Sequence, residues 1–537
     1  MNIIRMARVG LRAGTIMFLI YWGVSTSIAN ESFTFESERG VYKVVLTSQT
    51  DTVPIAELHN WELEVSTPQG TRFFPNQLVI EGGMPGHGHG FPVEPQITQY
   101  LESNKFLVEG VLFNMAGEWQ LRVGIDGPWG WDTATVTLNI APQTSQKSAQ
   151  EWSDSELAQL KNLSWKNAGP VPDDPSNRFG ENTSAIELGR ALFFDPKLSR
   201  DKRVSCASCH QPEKAFGDGL NKSFGSRETQ RHAPSLLGVA RHRWFYWDGR
   251  RDSLWAQAVT PIETSGEMDN NRMDAVRYFL SEPTYLSSYQ KLVGVAPDLS
   301  DEKRFPTGAG PYANRSGKSK WEKMSRADRH SVNAVFIVIG KVLAAFESTL
   351  DFQESRFDRY VNQLAESGQR GQHAQISESE KRGIRLFLNQ EKTQCLRCHN
   401  GPLFSNKGFH NIGTGVFQGA GLDFGRFYGL QSARLDTFNC EGRYSDASPD
   451  QCTALRFSLK KEIPAFMQGA FKVPTLRNVS HSAPFFHDGR FASLREVVEH
   501  YRQPPGQNSE LQSLDLTDQD VSDLIAFLNL LSDVTEH

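Results

Sequence analysis

The chain has 537 residues, of which 38% are hydrophobic and 22% are charged, with Gly 44, Pro 26 and six cysteines. This ordinary composition excludes collagen-like, disordered and multi-span membrane proteins, and six cysteines are too few for a disulfide scaffold. The formal net charge of −5 argues against a nucleic-acid partner. At roughly 100–200 residues per domain, the length predicts about three domains.

Residues 1–29 have the pattern of a secretory signal peptide. Arg5, Arg8 and Arg12 precede an uncharged, largely apolar run over residues 13–29, which ends in small residues suited to cleavage. The pattern predicts export to the periplasm, with no transmembrane segment after cleavage. An uncleaved membrane anchor is the alternative, because the run is nearly of spanning length.

Residues 30–141 differ from the rest of the chain. Short runs of alternating apolar and polar residues are separated by Gly, Pro and Asn, a pattern typical of a small antiparallel β-sandwich. The runs cover residues 42–46, 61–65, 78–80, 106–108, 119–125 and 133–140. Residues 142–180 are polar and then proline-rich, which predicts a linker.

The pattern after residue 181 is helical and rich in loops. The predicted helices, several of which begin with a Ser or Thr cap, cover residues 185–193, 331–350, 377–388, 494–501 and 517–531. The apolar run 332–346 is short and is interrupted by Lys341, so a buried helix is expected there.

Two copies of the motif C-x-x-C-H dominate this helical part. The motifs are Cys206, Cys209 and His210, and Cys395, Cys398 and His399. In such a motif two thiols add to the vinyl groups of one haem, and the imidazole that follows binds the iron. A zinc half-site or a thioredoxin-like pair needs no trailing histidine and does not explain two copies. The sequence therefore predicts two covalently bound haem c groups.

The remaining cysteines, Cys440 and Cys452, stand in a polar, turn-rich segment. In an exported protein a structural disulfide is the plain interpretation, with two free thiols as the alternative.

Further motifs follow each haem motif in a fixed order. Residues 231–235 read RHAPS and residues 246–250 read YWDGR; residues 471–478 read FKVPTLRN and residues 486–489 read FHDG. From about residue 188 to 531 the chain resembles the bacterial di-haem cytochrome c peroxidase family, and within it the MauG-like branch. The resemblance implies a multidomain fold class. The N-terminal antiparallel β-sandwich is followed by two mainly α cytochrome c-type domains, a peroxidatic one at 181–370 and an electron-transfer one at 371–537.

The resemblance implies roles around the first haem. His210 corresponds to the proximal ligand of a high-spin haem that reacts with H2O2. Gln257 and Glu267 correspond to the distal pair, with Pro261 between them; the carboxylate can move a proton during O–O cleavage and the amide can orient peroxide. Trp247 corresponds to the tryptophan between the haems. Surface helix residues and core packing are the alternatives for these side chains.

The second haem departs from typical peroxidases of the family. His399 corresponds to its proximal ligand, and the place of the usual methionine ligand is held by Tyr501, as in the MauG-like branch. Neighbouring His500 is the competing ligand. Phe224 stands where ordinary members carry a distal histidine, so the first haem is expected to be open to peroxide without prior reduction.

A calcium site is one of two candidate metal sites besides the haems. The family usually binds Ca2+ between its haem domains through an Asn side chain and two carbonyls; the corresponding residues here are His232, Ser482 and Pro484. An imidazole is a poor calcium ligand, so the resemblance leaves the presence of one Ca2+ open.

The predicted sandwich resembles, loosely, small exported domains of the YtkA/FixH type. It carries Met84, His87 and His89 in a glycine-rich stretch, and Met115 further along. Imidazole and thioether groups suit copper, which is the hypothesis for these residues. A glycine-rich turn with exposed imidazoles is the alternative.

Together these features predict an exported di-haem oxidoreductase that reacts with hydrogen peroxide. Its electrons would come from a redox-protein donor or from a protein substrate with an oxidisable Trp or Tyr. The alternative is a non-catalytic di-haem electron carrier or haem-based sensor, in which the β domain binds a partner.

Overall fold

The computed structural model describes most of the chain after the N-terminal segment. The described residues are 32–50, 53, 55, 59–84, 89–91, 95–102, 104–113, 116–140, 152–367, 376–415, 422–448, 451–452, 455, 467–503 and 509–533. The expected signal peptide lies outside them, as do His87 and Met115.

The N-terminal region is an antiparallel β-sandwich, as predicted. Its strands are Ser32–Glu36 (β1), Lys43–Ser48 (β2), His59–Ser66 (β3), Gln77–Met84 (β4), His89–Gly90 (β5), Gln96–Glu102 (β6), Lys105–Val111 (β7), Gly117–Gly127 (β8) and Gly130–Ile140 (β9). Among the described residues one sheet has the order β1-β2-β3-β7-β6 and the other β5-β4-β8-β9. Alternate side chains of each strand enter a shared core, in which Trp61, Phe113 and Trp119 are fully buried.

The region that follows is helical. Its helices are Asp154–Leu163 (α1), Thr183–Phe193 (α2), Cys206–Cys209 (α3), Leu254–Glu263 (α4), Arg272–Ser281 (α5), Pro283–Leu292 (α6), Arg315–Lys323 (α7), Arg326–Glu347 (α8), Arg356–Ser367 (α9), Glu378–Leu388 (α10), Arg426–Leu435 (α11), Leu494–Arg502 (α12) and Asp518–Leu530 (α13). Two short strands, Phe409–His410 (β10) and Phe471–Lys472 (β11), pair with each other.

Helix α8 is the centre of the first helical core. By length and composition it could cross a membrane, but 83% of its most apolar window is buried inside the protein. Helices α2 and α4 cross it at points where glycine permits close approach. A Cβ on Gly189 of α2 would overlap the backbone carbonyl of Val342, and one on Gly340 of α8 would meet the carbonyl oxygen of Trp255 at 2.5 Å.

The second helical core is formed by α10 and α13 together with two earlier helices. Leu160 of α1 and Phe357 of α9 are buried in this core, and the Trp152 indole donates a hydrogen bond of 2.7 Å to the Tyr360 hydroxyl. Part of the predicted linker 142–180 is therefore a folded helix, because its apolar face has a partner in the C-terminal half. Helix α9, which falls before the expected boundary at residue 370, packs in the same core.

Residues 232–261 and 472–501 are two copies of one structural motif. Both contain a Pro-[Ser/Thr]-Leu segment, a turn with a left-handed residue (Gly238, Asn478), and an Asp-Gly-Arg turn that leads into α4 or α12. The copies place Trp247 opposite His487 in the alignment, and Pro261 opposite Tyr501. The helical region is thus an internally duplicated pair of halves.

One arginine connects the two halves. Nη1 of Arg231 donates a hydrogen bond of 2.7 Å to an oxygen of Asp248 in the first half. Its Nε and Nη2 donate hydrogen bonds of 2.7–3.0 Å to the two oxygens of Asp423 in the second half. The Asp423 carboxylate also lies 3.7 Å from Nε2 of His487. Partly buried bidentate pairs of this kind fix geometry as well as adding stability.

The sandwich borders the helical region across a cavity of about 1090 Å³, lined on the two sides by residues such as Glu109 and Lys407. The Glu109 charge raises the pKa of Lys407 and of Arg243, although burial lowers both pKa values overall. The contact between the two regions is therefore electrostatically complementary.

The packing of α2 on α8 gives a stability prediction. Gly189→Ala is expected to destabilise the holoprotein by about 1–3 kcal/mol, because the added methyl overlaps the Val342 carbonyl in a closely packed core. Gly180→Ala is the matched control, since its nearest heavy atom would be at an ordinary 3.6 Å. Denaturant unfolding monitored by far-UV circular dichroism measures both; equal stability of the two variants would contradict the packing account.

Candidate functional site

The two C-x-x-C-H motifs have the local geometry of haem attachment. Cys206 and Cys209 belong to α3, and the four motif cysteines form no disulfide. Nδ1 of His210 donates a hydrogen bond of 2.9 Å to the carbonyl oxygen of Phe216, and Nδ1 of His399 donates one of 2.9 Å to that of Phe404. This donation leaves the Nε2 lone pair of each imidazole available to an iron ion.

Burial keeps both imidazoles in the neutral form that binds metals. It lowers the pKa of His210 and lowers the pKa of His399 to about 4. The carbonyl acceptors partly oppose this effect, since they favour the N–H that they bind. The residues in both motifs therefore fit a covalently bound haem.

Helix α4 and the turn after it position the predicted distal residues of the first site. Gln257 and Pro261 are both on α4, and the helix ends at Glu263. The chain then turns back, with the Met268 amide donating to the Pro261 carbonyl at 3.1 Å, which brings Glu267 close to the helix. The structure thus places Gln257, Pro261 and Glu267 in one neighbourhood.

The Glu267 carboxyl is electrostatically coupled to the first haem-attachment motif. Burial raises the pKa of the Cys206 and Cys209 thiols, and the Glu267 charge raises both pKa values further. Burial raises the pKa of Glu267 itself, while the Arg250 guanidinium partly lowers it. A carboxyl with an elevated pKa beside a ligand site is suited to exchanging a proton near neutral pH.

The loop that carries Phe224 packs against Glu267 and not over the pocket. Ser226 donates its amide to the Glu267 carbonyl at 2.7 Å, and a Cβ on Gly225 would meet the same carbonyl at 2.6 Å. The Phe224 ring is 63% exposed. This position therefore offers no ligand to the first site.

Trp247 contacts both halves of the duplicated region. Its indole N–H donates to the His232 carbonyl at 3.4 Å, and its ring lies 5.2 Å from the His232 ring. Its own carbonyl accepts a hydrogen bond of 2.8 Å from the amide of Lys472, in β11 of the second half. These contacts hold the indole at the junction between the two halves, and its place between the haems stays a prediction.

Tyr501, the predicted ligand of the second site, is on α12. Burial raises the pKa of its phenol, and the charges of Cys398 and Cys395 in the second attachment motif raise it further. The competing His500 donates its Nε2–H to the Ile412 carbonyl at 2.9 Å, which leaves Nδ1 as its nitrogen with a free lone pair. Tyr501 and His500 both stay candidate ligands, and Tyr501 is the ligand that the sequence predicts.

Two buried cations provide a further test of the fit to haem. Burial lowers the pKa of Arg426 to about 9 and that of Lys472 to about 8, and neither forms an ion pair within the described part of the chain. The Arg426 guanidinium stacks over Trp244 at 3.8 Å and donates to the Gly249 carbonyl. Each haem c carries two propionates, and buried unpaired cations near the junction are suitable partners for them.

The residues of the expected calcium site are close to a small cavity between the halves. Ser482 and Asp218 line this cavity of about 220 Å³, and Asp218 Oδ2 is buried with no hydrogen-bond partner among the described residues. Burial lowers the pKa of His232 to about 4, so its imidazole is neutral. A free carboxylate oxygen fits a cation, but the presence of calcium at His232, Ser482 and Pro484 stays a prediction.

The expected copper residues are only partly described. Met84 is the last residue of β4, and its side chain is 2% exposed in the sandwich core instead of lying in an open loop. The backbone of His89 pairs with Met84 in β5. Since His87 and Met115 lie outside the described residues, copper stays a prediction.

Cys440 and Cys452 form a disulfide with a Cα–Cα distance of 5.4 Å. It closes the segment that follows α11, at the edge of the first half. The Cys440 amide donates to the Asp252 carboxylate at 2.9 Å, which ties this segment to the start of α4.

Sequence reasoning missed two side chains of the first site. Tyr246 and Arg250 flank the Trp247 turn, and the Arg250 guanidinium lies 3.4 Å from the centre of the Tyr246 ring. An alignment of residues 232–261 with 472–501 would have drawn attention to Tyr246, because its counterpart is Phe486.

The chain is similar in sequence to several known proteins. A family model described as di-haem cytochrome c peroxidase matches residues 183–366. The chain is 31% identical over 403 residues to the methylamine utilization protein MauG of Methylorubrum extorquens. The aligned region covers 74% of this chain and 90% of that protein. It is 28% identical over 376 residues to a cytochrome-c peroxidase of Pseudomonas sp., covering 68% of this chain and 83% of that protein.

A solved structure, the diheme peroxidase BthA from Burkholderia thailandensis, is 24% identical with a TM-score of 0.47 and covers 67% of this chain and 89% of its own. On the sequence matches, this chain belongs to the di-haem cytochrome c peroxidase family that includes MauG.

Proposed function

We propose that this chain is an exported enzyme that reduces H2O2 at the first haem site and draws the electrons, over a long range, from a partner. The partner is a redox-protein donor or a protein with an oxidisable Trp or Tyr. The observation that carries the proposal is the contrast between Pro261 and Tyr501, which occupy equivalent positions in two similar halves. One half has a ligating atom there and the other has none.

A haem c held by Cys206, Cys209 and His210 would supply an iron that binds peroxide and takes up its oxidising equivalents. Glu267 acts as the base that removes a proton from the nearer peroxide oxygen and delivers it to the leaving oxygen. Gln257 has a buried Oε1 with no hydrogen-bond donor among the described residues, so this oxygen is available to orient a polar substrate.

Trp247 provides the route between the two sites. An indole is oxidised more readily than an aliphatic side chain, and the contacts to His232 and Lys472 keep this indole fixed at the junction. Reduction of one H2O2 to two waters consumes two protons and two electrons. When the two sites share the loss of these two electrons, the partner can return the electrons one at a time.

Tyr501 tunes the second site. Because burial raises the pKa of the free phenol, ligation to iron must release its proton, and the resulting phenolate is a hard anionic donor that favours the oxidised metal. Phe224 is turned to solvent, so the first site needs no reduction to open. These features support direct reaction of the fully oxidised protein with peroxide.

The relatives support both kinds of partner, since they include a methylamine utilization protein and cytochrome-c peroxidases. The pattern of residues 1–29 supports export, as does the compartment in which c-type haem is attached. The cavity between the sandwich and the helical region supports a ligand-binding or docking role for the sandwich.

The ligand of the second haem is tested by two neighbouring substitutions. Tyr501→Phe removes the phenol oxygen, so the iron–phenolate bands in the resonance Raman spectrum of the ferric holoprotein are expected to disappear. His500→Ala is the matched control and should keep those bands, because they arise from the phenol oxygen of Tyr501. Loss of the low-spin spectrum in His500→Ala alone would contradict the assignment of Tyr501.

The role of Glu267 gives a pH dependence. Below its pKa the carboxyl is protonated and cannot accept a proton from peroxide, so the stopped-flow rate with stoichiometric H2O2 should rise with pH. The rise is expected above the usual range for glutamate, because burial raises this pKa. Glu267→Gln should lower the rate by about 100-fold or more and abolish the rise.

Glu228→Gln is the control for this measurement, since its side chain is 65% exposed and pairs with Lys222 on the surface. It should reproduce the rate and pH profile of the unmodified protein. An unchanged profile in Glu267→Gln would contradict the assignment of Glu267 as the base.

A further inference from the structure

We propose that Tyr246 is a third distal residue, whose phenol donates a hydrogen bond to peroxide bound beside Gln257 and Glu267. The inference rests on the proposed reaction at the first haem site. It concerns how the substrate is held there, and it adds a group that neither the motif nor the comparisons assign.

The backbone around Tyr246 is the same as that around its counterpart Phe486. Both residues have left-handed backbones, with φ of 67° and 65°, and both lie inside a short antiparallel bridge that closes the Asp-Gly-Arg turn. Positive φ is uncommon and costly for an aromatic residue. Its presence in both halves means that the two turns direct the Cα–Cβ bonds of these residues in equivalent ways.

In the second half, the neighbours of the Phe486 ring show what lies beside this position. The Phe486 ring lies 6.5 Å from the ring of Tyr501 and 5.2 Å from that of His500, so it is beside the proposed axial ligand. In the first half the place of Tyr501 is taken by Pro261. By the same relation the Tyr246 ring lies beside the open distal position.

The two halves differ in the hydroxyl group. The Tyr246 hydroxyl is buried and makes no hydrogen bond of acceptable geometry with the described residues; Gln257 Oε1 is in the same situation. The Gln257 amide is nevertheless close enough to lower the pKa of the Tyr246 phenol. Unsatisfied polar atoms that are buried and near each other form a place for a small polar ligand.

The surroundings favour a donor role for the phenol. Burial and the nearby Glu267 charge raise the pKa of Tyr246 to about 12, so the hydroxyl keeps its proton at neutral pH. The Arg250 guanidinium, 3.4 Å from the ring centre, draws electron density from the ring. A positive charge there strengthens the O–H as a donor and opposes loss of an electron from the ring.

The test uses fluoride as a probe, because fluoride binds ferric haem and accepts hydrogen bonds from distal donors. In the ferric holoprotein, Tyr246→Phe is expected to raise the dissociation constant of fluoride about tenfold and to slow the reaction with H2O2 by a similar factor. Phenylalanine already occupies the equivalent backbone at Phe486. Tyr246→Leu is a second variant that removes the same hydroxyl.

Tyr289→Phe is the matched control, since it removes a buried phenol from the first core, away from the distal pocket. It should leave fluoride affinity unchanged. Equal fluoride affinity in the unmodified protein and both Tyr246 variants would overturn the inference and leave the proposed function intact. If the unmodified protein neither binds fluoride nor reacts with peroxide, the proposed function fails, and the inference fails with it.

Discussion

The geometry of the two haem sites depends on the ion network of Arg231. Its guanidinium binds Asp248, which follows Trp247, and Asp423, which faces His487, so one side chain holds the turns of both halves. Burial opposes ionisation of Asp248, but the neighbouring guanidinium groups hold its pKa at about 2, so this carboxylate is ionised throughout the neutral range. Removing one partner from a buried network of this kind costs about 3–5 kcal/mol, because the others are left unpaired.

The two halves share a similar backbone and differ chemically in a few side chains at equivalent positions. One helix position is Pro261 in the first half and Tyr501 in the second, and one position in the turn before that helix is Tyr246 or Phe486. In the proposed account, the first half combines an open distal face with polar side chains, and the second combines a ligating phenol with an apolar ring. A duplicated fold can in this way separate the site that meets substrate from the site that stores charge.

The sequence allowed a large part of this to be predicted, for identifiable physical reasons. Covalent haem attachment needs C-x-x-C-H, and period-two alternation marks the sandwich strands, so both features could be located by residue number. The course of residues 152–163 could not, because α1 is stabilised by a contact with Tyr360, far away in the chain. The approach of Tyr246 to Gln257 likewise depends on a left-handed turn that local composition does not reveal.

The central claim is that one iron is open and the other is closed by Tyr501. The low-temperature EPR spectrum of the ferric holoprotein tests it most directly. The account predicts one high-spin and one low-spin ferric signal, with the high-spin signal lost on addition of stoichiometric H2O2. Two low-spin signals that do not respond to H2O2 would contradict it and would favour an electron carrier or sensor.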